Sequence, residues 1–391
     1  MKLPIYLDSH ATTPCDPRVI EKMLPFFSQH FGNASNVNHA FGKKAQEACE
    51  KAREQVASLI KASPREIIFT SGATESNNQA LIGIARAYKD KGTHIITTQI
   101  EHKSVMNPLK FLENEGFKVT WLSVDRHGLV DVEEIRKNIT TQTILISVMT
   151  ANNEIGTIEP ILEIGKLASA REVLFFTDAV QAVGKLSIDV DQMNIDLLSI
   201  AGHKMYGPKG IGALYIRSKG PKVRILPIIY GSNQERSLRS GTLNVPGIVG
   251  LGEACAIAQI EMREESLKGK KLRDQLERNL LSKLPNVYVN GHPKERLDHN
   301  LNVSFLGIES DQLVLEMPNL AVSTGTACKA TSKEPSHVLK ALGLNDEMAL
   351  SSIRFGIGRF NTEEELDYAS CEVERAVNLL REKSALWKQR S

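Results

Sequence analysis

Four polar stretches of this chain follow apolar runs, and each carries a side chain able to do chemistry. In "SIAGHKMYGPKGIG" (199–212), His203 and Lys204 close one such run ahead of a Gly/Pro-rich loop. A lysine entering a partly dry site there loses ammonium hydration, so its pKa falls and its amine becomes a nucleophile able to form a Schiff base. In "TDAVQ" (177–181), Asp178 follows "VLFF", and a carboxylate so placed is costly unless it meets a cation or a strong donor. "TSGATESN" (70–77) follows a strand and opens a helix. Its small residues let backbone N–H groups approach an anion, Thr74 adds a hydroxyl, and the helix N-terminus adds partial positive charge. "QIEHKSV" (99–105) puts His102 at a strand end, where it could stack on a planar ring and move protons.

Each piece has an ordinary reading: a capped turn, a satisfied N-cap, a hydrogen-bonded core histidine. Together they are a lysine for an aldehyde, a carboxylate for a pyridinium nitrogen and a helix terminus for a phosphate, the parts a pyridoxal phosphate site requires. The carboxylate keeps the ring nitrogen protonated, so the ring can accept electrons from a substrate Cα. Asp178 and Lys204 stand 26 residues apart, enough for a crossover that makes their strands near neighbours. "TANNEIGT" (150–157) and "RSGTLN" (239–244) are polar, turn-forming and similarly placed.

One further residue is out of place. "STGTACKATSKEPS" (323–336) surrounds Cys328 with small and polar residues, unlike apolar core. The other cysteines (15, 49, 255, 371) are scattered and never spaced as C-x-x-C, so neither zinc nor a disulfide framework is expected, and those four read as small hydrophobes.

Seven strand-like runs must position these residues: 66–70, 94–100, 119–124, 143–149, 173–180, 196–201 and 212–217. Several are apolar almost throughout, as in strands covered on both faces of a mostly parallel sheet. Between the first two, Asn77, Leu81, Ile84, Ala85 and Tyr88 fall at helical spacing, with Gly92 placed to end the helix. Such alternation predicts an α/β sandwich that binds ligands at its strand ends. After about residue 247 one or two long helices lead away, and they become highly charged past Glu261. The chain closes on a helix announced by a capping box, Thr362 with Glu365, and an apolar stripe of Leu366, Ala369, Val373, Val377 and Leu380. The expected division is a large α/β domain over 15–260 and a small α+β domain from 1–14 and 261–391, with the Cys328 loop at about 321–335.

Length and charge limit the rest. A chain of 391 residues exceeds what one core usually supports. A net charge of +2 with both signs interspersed leaves no footprint for nucleic acid or an anionic membrane. No apolar run reaches a membrane span, and "MKLPIYLDSHATTP" lacks a signal-peptide core, so a reducing cytoplasm is expected.

The motifs "YLDSHATTP", "TSGATES", "EHKSV", "NNEIG", "TDAVQ", "GHKMYGPKG", "RSGT", "STGTAC", "SIRFGIGRF" and "EPSHVLKALGL" span almost the whole chain. The chain resembles the cysteine desulfurases of group I, the iron–sulfur-cluster type, in the class V aminotransferase superfamily. The resemblance implies fold type I with a seven-stranded, mainly parallel sheet, a homodimer with active sites near the interface, and conversion of L-cysteine to L-alanine. It implies that Lys204 carries the cofactor, Asp178 pairs with its ring nitrogen and His102 stacks on the ring as acid and base. Gln181 and Asn153 would approach the cofactor's phenolic oxygen and the substrate side. The Ala73 backbone, Thr74 and His203 would hold the phosphate, with Thr242 supplied by the other subunit. Arg354 would clamp the substrate carboxylate bidentately, assisted by Asn33.

On the same resemblance Cys328 takes the substrate's sulfur as a persulfide and carries it to an acceptor such as an iron–sulfur scaffold. A tethered thiol on a pliable loop could do both, with Lys329 and Lys333 favouring the thiolate. No resident metal is expected; Cys328 could touch a cluster through the scaffold. A selenocysteine lyase would share the cofactor residues and is the alternative. The chain departs from the family pattern at three places. Ala201 stands where many members carry a phosphate-binding serine, "GNASN" lacks a proline after Gly-Asn, and Ser9–His10 replace a frequent Tyr-Ser. The chain ends soon after Trp387, so the C-terminal extension that docks a scaffold is not expected.

Overall fold

In the computed structural model residues 2–383 are described except 325, 330 and 331, together with Trp387; at 326–329, 332 and 333 only the backbone is described. All seven expected strands are present, at Ile67–Thr70, His94–Thr98, Lys118–Leu122, Thr143–Ser147, Leu174–Asp178, Leu197–Ala201 and Gly212–Ile216. They form one sheet. From edge to edge the order is Ile67–Thr70, Gly212–Ile216, Leu197–Ala201, Leu174–Asp178, Thr143–Ser147, His94–Thr98, Lys118–Leu122. Only Gly212–Ile216 runs antiparallel to its neighbours.

Both faces of the sheet are covered, which is why its strands read as continuous apolar runs. Ile67, Phe69, Ile96, Ile146, Phe175, Leu198 and Tyr215 point to one side, into a core shared with the helix Ala40–Leu59 and the first half of Val245–Lys283. Ile68, Ile95, Leu145, Phe176, Leu197 and Leu214 point to the other, against Ala73–Tyr88 and Lys103–Asn114. Ile67–Thr70 lies at the sheet edge, and side chains take up its outward polar groups. Phe69 N donates to Glu235 Oε2 at 2.7 Å, and Arg53 and Arg236 donate to Ile67 O.

The helix Ala73–Tyr88 ends where expected, but not through a left-handed glycine. Gly92 has no positive φ, and a Cβ there would lie 2.3 Å from Gln142 O, so crowding by a neighbouring turn requires the glycine. The region past 245 is a single 39-residue helix, Val245–Lys283. By length and composition one 18-residue window of it is apolar enough to cross a membrane, contrary to the expectation from apolar runs. Its first half is core instead: Ile248, Leu251, Ala254, Cys255 and Ala258 are buried against the large sheet's helices.

Leu272, Leu276 and Leu280 of the same helix belong to a second core with Ile5, Leu7, Leu301, Val303, Ile353, Phe355 and the stripe Leu366, Ala369, Val373, Val377. This core backs an antiparallel sheet ordered Ser323–Thr324, Ser352–Gly356, Asn300–Phe305, Val287–Asn290, while Ile5–Tyr6 pairs in parallel with Leu320–Ala321. The capping box forms: Glu365 N donates to Thr362 Oγ1 and Thr362 N to the Glu365 carboxylate. The Cys328 segment is a hairpin, Thr326–Lys329 paired antiparallel with Ser332–Pro335, and among the described residues these two strands join no other sheet.

Candidate active site

A cleft of about 720 Å³ opens at the C-terminal ends of the parallel strands. It is lined by Thr74, His102, Asp178, Gln181, Lys204 and Arg354, among others. Ala73, Asn153 and His203 also line it. The sheet's register explains the convergence. Leu174–Asp178 and Leu197–Ala201 are adjacent and parallel, with Asp178 opposite Ser199, so the two chain segments leave the sheet side by side.

Lys204 ends the short 3-10 turn Gly202–Lys204 that follows its strand. Its Nζ donates to the carbonyls of His10 and, at 2.8 Å, Ala11. Burial and then the nearby Arg354 charge push its pKa down to about 8. Asp178 is buried with a donor on each oxygen: Val180 N at 3.1 Å on Oδ1 and Asn77 Nδ2 at 2.8 Å on Oδ2. Asn77 also donates to Ser104 Oγ at 2.8 Å, and Ser104 Oγ lies 2.7 Å from His102 Nδ1. One line of hydrogen bonds therefore ties the ring of His102 to the carboxylate of Asp178. His102 itself caps the helix Lys103–Asn114 through Ser104 N.

The 16-residue helix Ala73–Tyr88 opens on the cleft with no side-chain cap, behind Gly72 at φ 147°. Its first N–H groups are thus free for an anion. Gly212 on the neighbouring strand lets this turn lie against the sheet, since a Cβ there would sit 2.7 Å from Gly72 Cα. His203 is held by Thr12 Oγ1, 3.1 Å from Nδ1, and burial followed by the Lys204 charge takes its pKa down to about 4. A neutral His203 can hold a phosphate by an N–H donor but adds no charge. Ala201 is buried at the end of its strand and does not line the cleft.

Arg354 comes from the other sheet. It donates at 2.8 Å to both Asn153 O and Asp8 Oδ1, and at 2.9 Å to Ser323 Oγ. Ser323 faces Arg354 across the strand pair. Beside Arg354 and His102 lies a second hollow of about 280 Å³, whose lining includes Ser323, Thr324, Ser336 and His337. Both feet of the Cys328 hairpin therefore stand at the cleft. One is held by Ser323 Oγ on Asp8, the other by Ser336 Oγ on Glu154. The thiol of Cys328 and the ammonium groups of Lys329 and Lys333 lie outside the described residues.

Two expected residues are not in this chain's cleft. Asn33 is exposed, and its Oδ1 accepts from Ser35 N in a local turn. Thr242 is also exposed, although its neighbour Arg239 reaches the cleft wall by pairing with Glu75 at 2.9 Å. Sequence reasoning did not single out Asp8, His10, Asn77 and Ser104 as site residues. Asn77 offered one signal: a polar side chain on the buried stripe of its helix.

The cleft belongs to a pyridoxal phosphate enzyme, and the chain belongs to the aminotransferase class-V family, whose profile matches residues 5–369. Within that family its similarity is to cysteine desulfurases. It is 52% identical to cysteine desulfurase IscS of Ehrlichia chaffeensis, over 99% of this chain and 94% of that one. It is 51% identical to the mouse cysteine desulfurase, over 98% of this chain and 83% of the relative. A solved NifS-like protein superposes with a TM-score of 0.89 at 40% identity, covering 96% of this chain and 99% of that one.

The residues present fit that cofactor: a pKa-lowered amine, a buried carboxylate already oriented by two donors, and an uncapped helix terminus share one cleft.

Proposed function

We propose that this protein is a cysteine desulfurase that converts L-cysteine to L-alanine and keeps the sulfur as a persulfide on Cys328. It then passes that sulfur to an acceptor protein such as an iron–sulfur scaffold. The observation that carries the reading is that the hollow at the feet of the Cys328 hairpin adjoins the Lys204 and Asp178 cleft, with His102, Asn153 and Arg354 lining both. Pyridoxal phosphate held by Lys204 supplies an electron sink for the substrate Cα. Asp178, fixed by Asn77 and Val180 N, holds the ring nitrogen's proton. Ala73 N, Thr74 and His203 would hold the phosphate, and Gln181 would face the ring oxygen. His102, tied to Ser104, moves protons at the substrate carbon. Arg354 binds the substrate carboxylate, with Asn153 beside it.

The thiolate of Cys328 attacks the substrate sulfur. The Cβ–S bond breaks, an S–S bond forms on Cys328, and the carbon takes up a proton to give alanine, so no outside oxidant or reductant is used. Cys328 follows Thr324 by four residues, a span of at most roughly 14 Å of extended chain, and Thr324 lines the hollow beside His102.

The reading includes a homodimer in the cytoplasm. Leu24, Phe27, Phe31, Phe41 and Tyr230 are exposed apolar side chains that a second copy would cover, bringing Asn33 and Thr242 to a cleft. The relatives favour a cysteine desulfurase over a selenocysteine lyase.

The test is Cys328→Ser in the holoenzyme. It keeps the cofactor's visible absorbance and its spectral response to cysteine, and it forms no alanine above background. Undiminished alanine production by that variant would refute the reading.

A further inference from the structure

His10 lies wholly inside the protein at 1% exposure, although none of the cleft chemistry above requires an imidazole there. Its ring is stacked on that of His299, with centroids 4.5 Å apart and planes 22° from parallel. Its Nδ1 is 3.0 Å from Gln181 Oε1, and Gln181 Nε2 donates back at 3.0 Å to the carbonyl of His10.

This reciprocal pair assigns every proton in it. A peptide oxygen only accepts, so the amide nitrogen of Gln181 must be the end that faces it. The amide oxygen then faces Nδ1, which must carry the hydrogen. The other ring nitrogen, Nε2, is buried and has no close hydrogen bond among the described residues, although the backbone of His299 acts on the ring as a weak hydrogen-bond partner. Burial, with Arg354 and Lys204 as the nearby charges, takes the ring's pKa down to about 3, so it stays neutral at working pH.

The same carbonyl oxygen of His10 also accepts from Lys204 Nζ. The amide of Gln181 and the amine of Lys204 are therefore neighbours across one atom. Pyridoxal phosphate carries its ring hydroxyl on the carbon next to its aldehyde, so a cofactor held by Lys204 would present that oxygen toward Gln181, which lines the same cleft.

We propose that His10 is a positioning residue for the reaction. By holding both ends of the Gln181 amide, it makes Gln181 present an N–H rather than a carbonyl to the cofactor's ring oxygen. The inference rests on the reading that Lys204 carries the cofactor. An N–H donor stabilises the ionised oxygen and so lowers the pH at which the bound chromophore takes up its proton.

The experiment is a pH titration of the visible absorbance of five holoenzymes: wild type, His10→Phe, His10→Asn, Gln181→Ala and the double variant His10→Phe/Gln181→Ala. Phenylalanine keeps the stack on His299 and the residue 10 carbonyl that still holds Gln181 Nε2, and removes only the donor to Oε1, so the titration should move up by part of the Gln181→Ala shift, at most about half a pH unit. Asparagine places an amide nitrogen near the position of Nδ1 and should restore the wild-type curve. The double variant should match Gln181→Ala alone, because His10 acts only through Gln181. Should His10→Phe not fold, His10→Leu carries the same expectation. A His10→Phe curve lying on wild type while Gln181→Ala shifts overturns the positioning role, as do shifts that add in the double variant. A Gln181→Ala curve lying on wild type refutes the placement of Gln181 beside the ring oxygen, and the inference falls with it.

Discussion

Glu159 offers a quantitative test of how this fold handles a buried acid. Its side chain is 3% exposed in the turn after Ile158; Oε2 accepts from Val130 N at 3.0 Å, and Oε1 is buried without a partner among the described residues. Burial raises its pKa from 4.5 to about 8, with Asp125 adding. The sign follows from linkage. Below pH 4.5 the acid is protonated folded or unfolded, and there is no penalty. Between 4.5 and about 8 the folded state holds a proton that the unfolded chain has released, so stability falls as pH rises. At about 1.4 kcal/mol per pH unit, the loss between pH 5 and pH 8 is at most about 4 kcal/mol, an upper bound because water and structural relaxation screen buried charge. Glu159→Gln keeps an acceptor for Val130 N and cannot ionise. Urea unfolding of the two holoenzymes should therefore show a gap in the variant's favour that opens steadily from pH 5 to pH 8. Other carboxylates, including the buried Glu101 whose pKa is also raised, are common to both proteins and cancel. A gap that stays constant to within about 0.5 kcal/mol across that range would refute the reasoning.

Two further outcomes follow from the cleft. With its pKa near 8, Lys204 should have about one amine in ten unprotonated at pH 7, against about one in three thousand for an ordinary lysine. Rapid-mixing absorbance should show capture of pyridoxal phosphate by apoenzyme rising with pH and levelling above about 8; a rise continuing past pH 10 would contradict the lowered pKa. Arg354→Lys removes the planar fork that spans Asn153 O, Asp8 and Ser323, and should raise the KM for cysteine by about 10- to 100-fold with the cofactor's absorbance unchanged. A KM within twofold of wild type would remove Arg354 from carboxylate binding.

The sheet was legible because its strands are buried on both faces, which leaves an uninterrupted apolar run that a half-exposed strand would not have. Asp178 and Lys204 were legible for the same reason: a charge at the end of such a run needs a purpose. Asn77 and Ser104 were not, because what distinguishes them is the partner each one meets. Asn77 finds Asp178 a hundred residues away, and no spacing within its own helix reports that. His10 is the clearest case. Its sequence neighbours say only that it replaces a frequent serine; the structure gives it Gln181 and His299, 171 and 289 residues further on. Asn33 and Thr242 are exposed outside this chain's cleft, and short polar turns such as theirs look alike in sequence whether or not they face a site. Cys328 was conspicuous as a thiol among polar residues, and its backbone proves to be a hairpin rather than an open loop.

The placement of His10 also explains why residues 5–16 matter more than their short secondary structure suggests. Ile5–Tyr6 joins the small sheet's edge at Leu320–Ala321, and Leu7 and Ser9 exchange backbone hydrogen bonds with Gly356. One residue later the same segment receives Gln181 and Lys204 on the carbonyl of His10, and Thr13 then takes up His203 O through both its N–H and its hydroxyl. Asp16 returns to the other domain by pairing with Arg359 at 2.6 Å, whose guanidinium lies 4.0 Å from the ring of Tyr206. The segment that accepts the Lys204 amine is thus also the one hydrogen-bonded to the strand that carries Arg354. Displacing Arg354's strand from the large sheet would therefore also disturb the hydrogen-bond acceptor of Lys204. An amine from one sheet and a guanidinium from another are thereby tied to one short segment, the kind of rigid support that holds groups converging on a cleft in fixed relation.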